Sequence, residues 1–227
     1  MKKKLVLFGL LSGILSPLAT PSWAGDVQGS ILLKSDLAKR QIGKKKSDSS
    51  EDSGGYRGDV PKPSENELEN VVVYIDGSNL KATPQNKRTR ENTLLQKNKE
   101  FRPHVLAVTK GTTVYFENQD PFAHHIYSES KPGDFEIRKH TSGVRTQVFN
   151  ETAVVETFCG IHTKMNCYIL VLPNNYYCKA GANGGYWLKG VPAGNYKLTA
   201  WHPRLAKPIF RTIHVNATGS KTENIDL

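Results

Sequence analysis

The stretch Cys159-Gly160-Ile161-His162-Thr163-Lys164-Met165 follows directly on Ala153-Val154-Val155-Glu156-Thr157-Phe158. Residues 153–158 are rich in β-branched and apolar side chains and read as a strand. Cys159 ends that strand, and the loop after it folds back over its end. A thiolate, an imidazole and a thioether therefore lie within seven residues. They are three of the four donors of a His₂Cys trigonal copper site with a weak axial Met.

The fourth donor has to come from elsewhere in the chain. Gly111-Thr112-Thr113-Val114-Tyr115-Phe116-Glu117-Asn118-Gln119-Asp120 reads as a strand closing in turn residues, followed by Pro121-Phe122-Ala123-His124-His125-Ile126. A histidine just past such a turn reaches the same end of a β-sandwich as the Cys159 loop. Consecutive strand residues point to opposite faces, so only one of His124 and His125 faces a shared ion.

These residues carry a resemblance. Residues 101–173 resemble a cupredoxin of the plastocyanin and amicyanin type. The pattern F-x-P…G-T-T-V-x-F-x-N…F-x-H, running from Phe101 to His124, is similar to the first half of plastocyanin. C-x-x-H-x-x-M, from Cys159 to Met165, resembles the short ligand loop of amicyanin and of methylamine-utilisation-like domains. The resemblance covers about a third of the chain. It implies an all-β, Greek-key cupredoxin sandwich holding one copper ion on His124, Cys159, His162 and Met165. His125 then falls where an asparagine usually ties the two ligand loops together. The edge of His162 is expected to face solvent as the electron's route, with Phe122 and Ile161 as an apolar docking rim. The resemblance to amicyanin also implies that His162 leaves copper(I) and takes up a proton in mild acid, with loss of driving force in the reduced protein.

Compartment follows from the N-terminus. Lys2-Lys3-Lys4, an apolar run over 5–18 and Ser22-Trp23-Ala24 before Gly25 have the pattern of a secretory signal peptide, residues 1–24. Pro17 and Pro21 break the apolar run, and no later segment is apolar enough to span a bilayer. The expected product is periplasmic or secreted, and a monomer. Loss of 1–24 removes three lysines and no acid, leaving +7 of the formal +10. A basic surface suits acidic partners or aids solubility. Nucleic acid is not expected, since export argues against it and no aromatic-plus-basic recognition motif is present.

With Cys159 on the metal, Cys167 and Cys178 remain as a pair that an oxidising compartment can join in a disulfide. The other reading makes Cys167 a small core residue on the strand over 166–172.

Along the chain, residues 25–33 read as an N-terminal strand. Residues 34–66, rich in Lys, Ser, Asp, Gly and Pro, offer too little apolar surface to offset ordering and read as an exposed, mobile polar loop. Residues 67–78 contain Asn70-Val71-Val72-Val73-Tyr74-Ile75, a run expected of a strand buried on both faces. The polar segment 80–102, with Lys87-Arg88-Thr89-Arg90, reads as a solvated connection. Strands follow at short intervals over 104–109, 112–117, 125–128, 135–138, 145–150, 153–158 and 168–172, without a helical period. The cupredoxin-like domain is bounded at 96–173.

Residues 176–227 change character. Gly190-Val191-Pro192-Ala193-Gly194-Asn195-Tyr196-Lys197-Leu198 lies in an alternating pattern around a Pro/Gly turn, and a further strand covers 209–215. This G-V-P-A-G-x-Y-x-L run resembles the second half of a carboxypeptidase-regulatory-like domain, a small prealbumin-like sandwich. Its first half fits Gly29 to Leu33 with Val71 to Gly77. Two arrangements follow: the ends form one sandwich into which the copper domain is inserted, or residues 71–75 are the first strand of a single cupredoxin.

Three functions are weighed. The first is an exported mononuclear type 1 copper protein passing single electrons between partners such as a c-type cytochrome or a dehydrogenase. The second is a copper storage or delivery protein, and the third a metal-free β-sandwich scaffold. Catalysis is not expected, because no second histidine cluster suits a type 2 or trinuclear site. His104, His140, His202 and His214 lack ligand spacing and read as surface or partly buried residues. Trp201-His202-Pro203 is read as closing a strand and packing.

Overall fold

The computed structural model describes residues 24–34, 37, 66–77 and 79–227. In chain order its strands begin with β1 (Ala24–Leu32), β2 (Val72–Asp76), β3 (Thr93–Lys97), β4 (Glu100–Arg102), β5 (Val105–Thr109) and β6 (Thr113–Asn118). Then come β7 (His124–Ser128), β8 (Phe135–His140), β9 (Gly143–Val148), β10 (Ala153–Cys159) and β11 (Asn166–Leu172). The last are β12 (Tyr177–Lys179), β13 (Gly185–Pro192), β14 (Gly194–Trp201), β15 (Ile209–Val215), β16 (Ser220–Thr222) and β17 (Ile225–Asp226). The fold is all-β. Among the described residues the helical turns are two 3₁₀ segments, Glu67–Asn70 and Arg90–Asn92, and no helix is long and apolar enough to cross a membrane.

The strands form four sheets. One has the order β5-β11-β10-β7-β8 and faces a second, β4-β3-β6-β9. Leu94, Phe116, Ile126, Val155, Cys159, Met165, Cys167 and Ile169 fill the core between them. The other two sheets are β12-β2-β14-β15 and β13-β1-β16, with β17 also pairing β1. Their core holds Val27, Val73, Ile75, Leu188, Val191, Leu198 and Ile213. Strands from both ends of the chain thus meet: β1 pairs with β13, and β2 with β12 and β14.

A third apolar layer joins the two sandwiches. Val105, Ala107, Tyr168, Leu170 and Leu172 from β5 and β11 meet Val72 and Trp201 from β2 and β14. The period-2 alternation of a strand accounts for the sorting. On β2, Val73 and Ile75 turn to one core and Val72 to the shared layer; on β11, Ile169 and Val171 turn to one core and Leu170 and Leu172 to that layer. A strand covered on both faces reads as an unbroken apolar run, as in residues 71–75.

The structure corrects several readings. The segment 80–102 is a solvent-facing connection only as far as Glu91 and not beyond it. It carries β3 and β4, buries Leu94 and Phe101, and pairs β3 with β6, so the first sandwich begins before residue 96. Its polar composition hid two short strands with one inward apolar residue each. His202 is fully buried and His140 nearly so, rather than at the surface or partly buried. His202 Nδ1 accepts from the Arg204 amide at 3.1 Å, which leaves its Nε2–H to donate to Glu67 at 3.1 Å.

The cysteine pairing is also corrected. Cys159, Cys167 and Cys178 are all free thiols. Cys167 belongs to the core of the first sandwich and Cys178 packs against that of the second, so no bridge forms. The leader reading, residues 1–24, lies outside the described residues except for Ala24, and so does nearly all of the loop 34–66. Within that loop Leu37 is described, and it is buried against the second core rather than exposed.

Candidate metal centre

His124 opens β7, where the alternation turns His124, Ile126 and Ser128 inward and His125 and Tyr127 outward. Cys159 closes β10, with Val155 and Thr157 on its own inward face. The two strands are antiparallel neighbours, with Cys159 opposite Ile126. The loop 160–165 is tied at its base, where the Cys159 amide donates to the Met165 carbonyl at 3.0 Å. The Met165 amide donates to the His162 carbonyl at 2.9 Å and closes a turn that brings His162 over Cys159.

Three donors converge there. Cys159 Sγ lies 3.6 Å from His124 Nδ1 and 3.6 Å from His162 Nδ1, and the two Nδ1 atoms are 3.2 Å apart. Among the described residues this is the one group of three or more His, Cys, Asp or Glu side chains close enough to hold a metal ion. The point equidistant from the three atoms is about 2.0 Å from each. Zinc, a neighbouring first-row ion, binds imidazole and thiolate at roughly 2.0–2.3 Å. The donors therefore fit a small, soft-to-borderline ion without rearrangement, and the N₂S set suits copper. Met165 is 1% exposed on the same loop, packed into the first core.

The proton on His124 is placed by a neighbour that sequence reading missed. His124 Nε2 is 2.9 Å from Asp120 Oδ2. An ionised carboxylate only accepts, so Nε2 carries the hydrogen and Nδ1 turns a lone pair toward Cys159. Asp120 is itself held by the amides of Asn98 at 2.6 Å and Lys99 at 3.1 Å, in the β3–β4 turn. Burial pushes the Asp120 carboxyl up, but those two amides and His124 outweigh it and hold it below its ordinary value. The only sequence signal was an aspartate four residues before the histidine, inside a run that reads as a turn.

His125 does not tie the ligand loops through its ring. Its Nε2 is 2.8 Å from Glu136 Oε1, and the ring stacks on Tyr127 at 5.6 Å. The tie is made by its backbone, since the Gly160 amide donates to the His125 carbonyl at 2.8 Å. The ring also crowds Gly160, where a Cβ would sit 2.4 Å from His125 Nδ1. An alanine there would have to displace that ring.

His162 is half-buried. Phe122 lies against both imidazole rings, at 5.5 Å from His124 and 5.4 Å from His162. Ile161 beside it is 43% exposed, and the Lys99 ammonium stands 5.4 Å from the Phe122 centroid. Burial lowers the His162 pKa, and the neighbouring His124 and Lys99 add to the effect. A ring that resists protonation keeps its lone pair for a metal.

No family model and no curated protein matches the chain. Among solved structures it is similar to a copper-containing nitrite reductase from Thermus scotoductus, at 25% identity and TM-score 0.34 over 40% of this chain. It is similar to a purple cupredoxin from Nitrosopumilus maritimus at 24% identity and TM-score 0.32, over 35% of this chain and 97% of that one. It is also similar to a reduced amicyanin variant, at 14% identity and TM-score 0.34, over 44% of this chain and 97% of that one. The chain spans 23% of the nitrite reductase's length.

Proposed function

We propose that His124, Cys159, His162 and Met165 would hold one copper ion and that the protein carries single electrons between exported redox partners. The observation that supports this is the inward convergence of one thiol and two Nδ1 atoms, all within 3.6 Å. Bound copper supplies the chemistry by taking up one electron as Cu(II) and giving it back as Cu(I).

The chain's own part is to bind, orient and exclude water. His124 is wholly buried and Cys159 4% exposed, so two of the donors are fixed by packing. A rigid donor set intermediate between the preferences of the two oxidation states keeps reorganisation small. Cys159 ligates as thiolate, so loading releases a proton and weakens in acid. Half-buried His162, with Phe122 and exposed Ile161 beside it, forms the face through which an electron enters and leaves. A c-type cytochrome or a dehydrogenase is the proposed partner. Export rests on the basic and apolar pattern of residues 1–24.

Visible and EPR spectra of the copper-loaded protein, compared with Cys159→Ser, test the reading. The expected result is an intense thiolate-to-copper band that is lost in the variant. A colourless wild type with cupric ion supplied overturns it. Stopped-flow reduction by a c-type cytochrome then separates electron carriage from storage, which needs tight binding but no fast exchange.

A further inference from the structure

Asp120 is 8% exposed and lies in the turn between β6 and β7. Each of its oxygens has a fixed donor. Oδ1 accepts from the Asn98 amide at 2.6 Å; Oδ2 accepts from the Lys99 amide at 3.1 Å and faces His124 Nε2 at 2.9 Å. Asn98 and Lys99 have φ of 58° and 60°. Two successive left-handed residues are the mark of a type I′ hairpin turn, and they aim both N–H groups to one side. The Asp120 amide donates to Asn118 Oδ1 at 2.9 Å, and Asn118 Nδ2 donates to the Phe122 and His140 carbonyls at 3.0 and 3.3 Å. The carboxylate is thus clamped on both sides and cannot swing away from His124.

We propose that Asp120 is a positioning residue that keeps His124 in the tautomer able to bind the metal and, by its fixed negative charge, favours the oxidised ion over the reduced one. This rests on the copper reading above. The tautomer follows from the donor inventory, because a carboxylate offers His124 Nε2 no hydrogen. The preference follows from charge. The oxidised ion carries one more positive charge than the reduced, and Asp120, 8% exposed, sits one imidazole away, where charges are screened less than in bulk water. Carboxylate partners of metal-bound histidines change metal affinity by roughly 10–100-fold when removed.

The alternative is that Asp120 only caps the β3–β4 turn. Asp120→Asn separates the two, because it keeps the shape and one accepting oxygen while losing the charge. Its NH₂ would meet either a turn amide or His124 Nε2, and donation to Nε2 moves the ring proton to Nδ1, where it blocks the metal.

Two measurements on the full mature protein decide the matter. Imidazole ¹⁵N NMR of the metal-free wild type should show His124 protonated at Nε2 alone, with a mixture of tautomers or the Nδ1 form in Asp120→Asn. Redox titration of the copper-loaded proteins should show about a tenfold relative loss of Cu(II) affinity in the variant, read as a midpoint about 59 mV more positive. An unshifted tautomer and midpoint, with lowered unfolding stability alone, would reduce Asp120 to a turn cap. A wild type protonated at Nδ1 overturns the proposal without any variant. A wild type that develops no copper band sinks the copper reading instead, and the tautomer measurement still decides the positioning role.

Discussion

Replacing Gly160 by alanine places a Cβ 2.4 Å from His125 Nδ1 and 3.3 Å from its Cε1. Ordinary contact needs about 1 Å more, and one of two groups must give. The His125 ring can turn out, breaking its 2.8 Å contact with Glu136 and its stacking on Tyr127. The rim-exposed Glu136 contact is worth at most about 1 kcal/mol, and overpacking costs typically about 1–3 kcal/mol. Against this, Gly→Ala gains about 0.4–1 kcal/mol by restricting the unfolded chain. The net expectation is a loss of about 1–2 kcal/mol in the metal-free protein, followed by urea unfolding. The paired variant His125→Ala removes the obstacle. In that background Gly160→Ala should cost nothing or stabilise slightly, a coupling of about 1–2 kcal/mol in the double-mutant cycle. An equal cost in both backgrounds would show that Gly160 is needed for its backbone and not for the space the ring occupies.

Further outcomes follow from buried groups away from the centre. Burial pushes the Glu67 carboxyl up, but hydrogen bonds from His202, Arg204 and Asn70 outweigh it and hold it at about 2, against 4.5 ordinarily. A depressed carboxyl stabilises above its unfolded pKa, so this contribution is full above about pH 4.5 and is lost as pH falls toward 2. Allowing for solvent screening it amounts to about 2 kcal/mol, and Glu67→Gln should flatten the acid limb of the stability–pH curve; parallel limbs would refute this. Thiol titration should find three reactive cysteines after denaturation without reductant, since Cys159, Cys167 and Cys178 are all free. Mass loss from a Cys167–Cys178 bridge would contradict the separation of the two cores.

Much of the centre could be read locally. The spacing from Cys159 to Met165 predicts a ligand loop because three donors on a short return can meet one ion, and strand parity allows only one of His124 and His125 to face it. The parity reading agrees with the structure, where His124 is wholly buried and His125 bonds Glu136 outside. The unbroken run 71–75 likewise announced burial on both faces. By contrast, β3 went unread because Leu94 joins a core only when the facing sheet closes over it, among Val108, Ile126 and Ile169.

By itself the sequence determined which residue types could bind a soft ion and which face of each strand they take, since those follow from chemistry and a two-residue period. Tertiary structure alone decided that the Asn98–Lys99 turn comes under Asp120 to orient His124. It also decided that Cys167 and Cys178, eleven residues apart in the chain, belong to different sandwiches. Periodicity records the direction of a side chain relative to its own strand and says nothing of the partner it meets across the fold. Those partners are chosen when sheets stack and apolar faces leave water together.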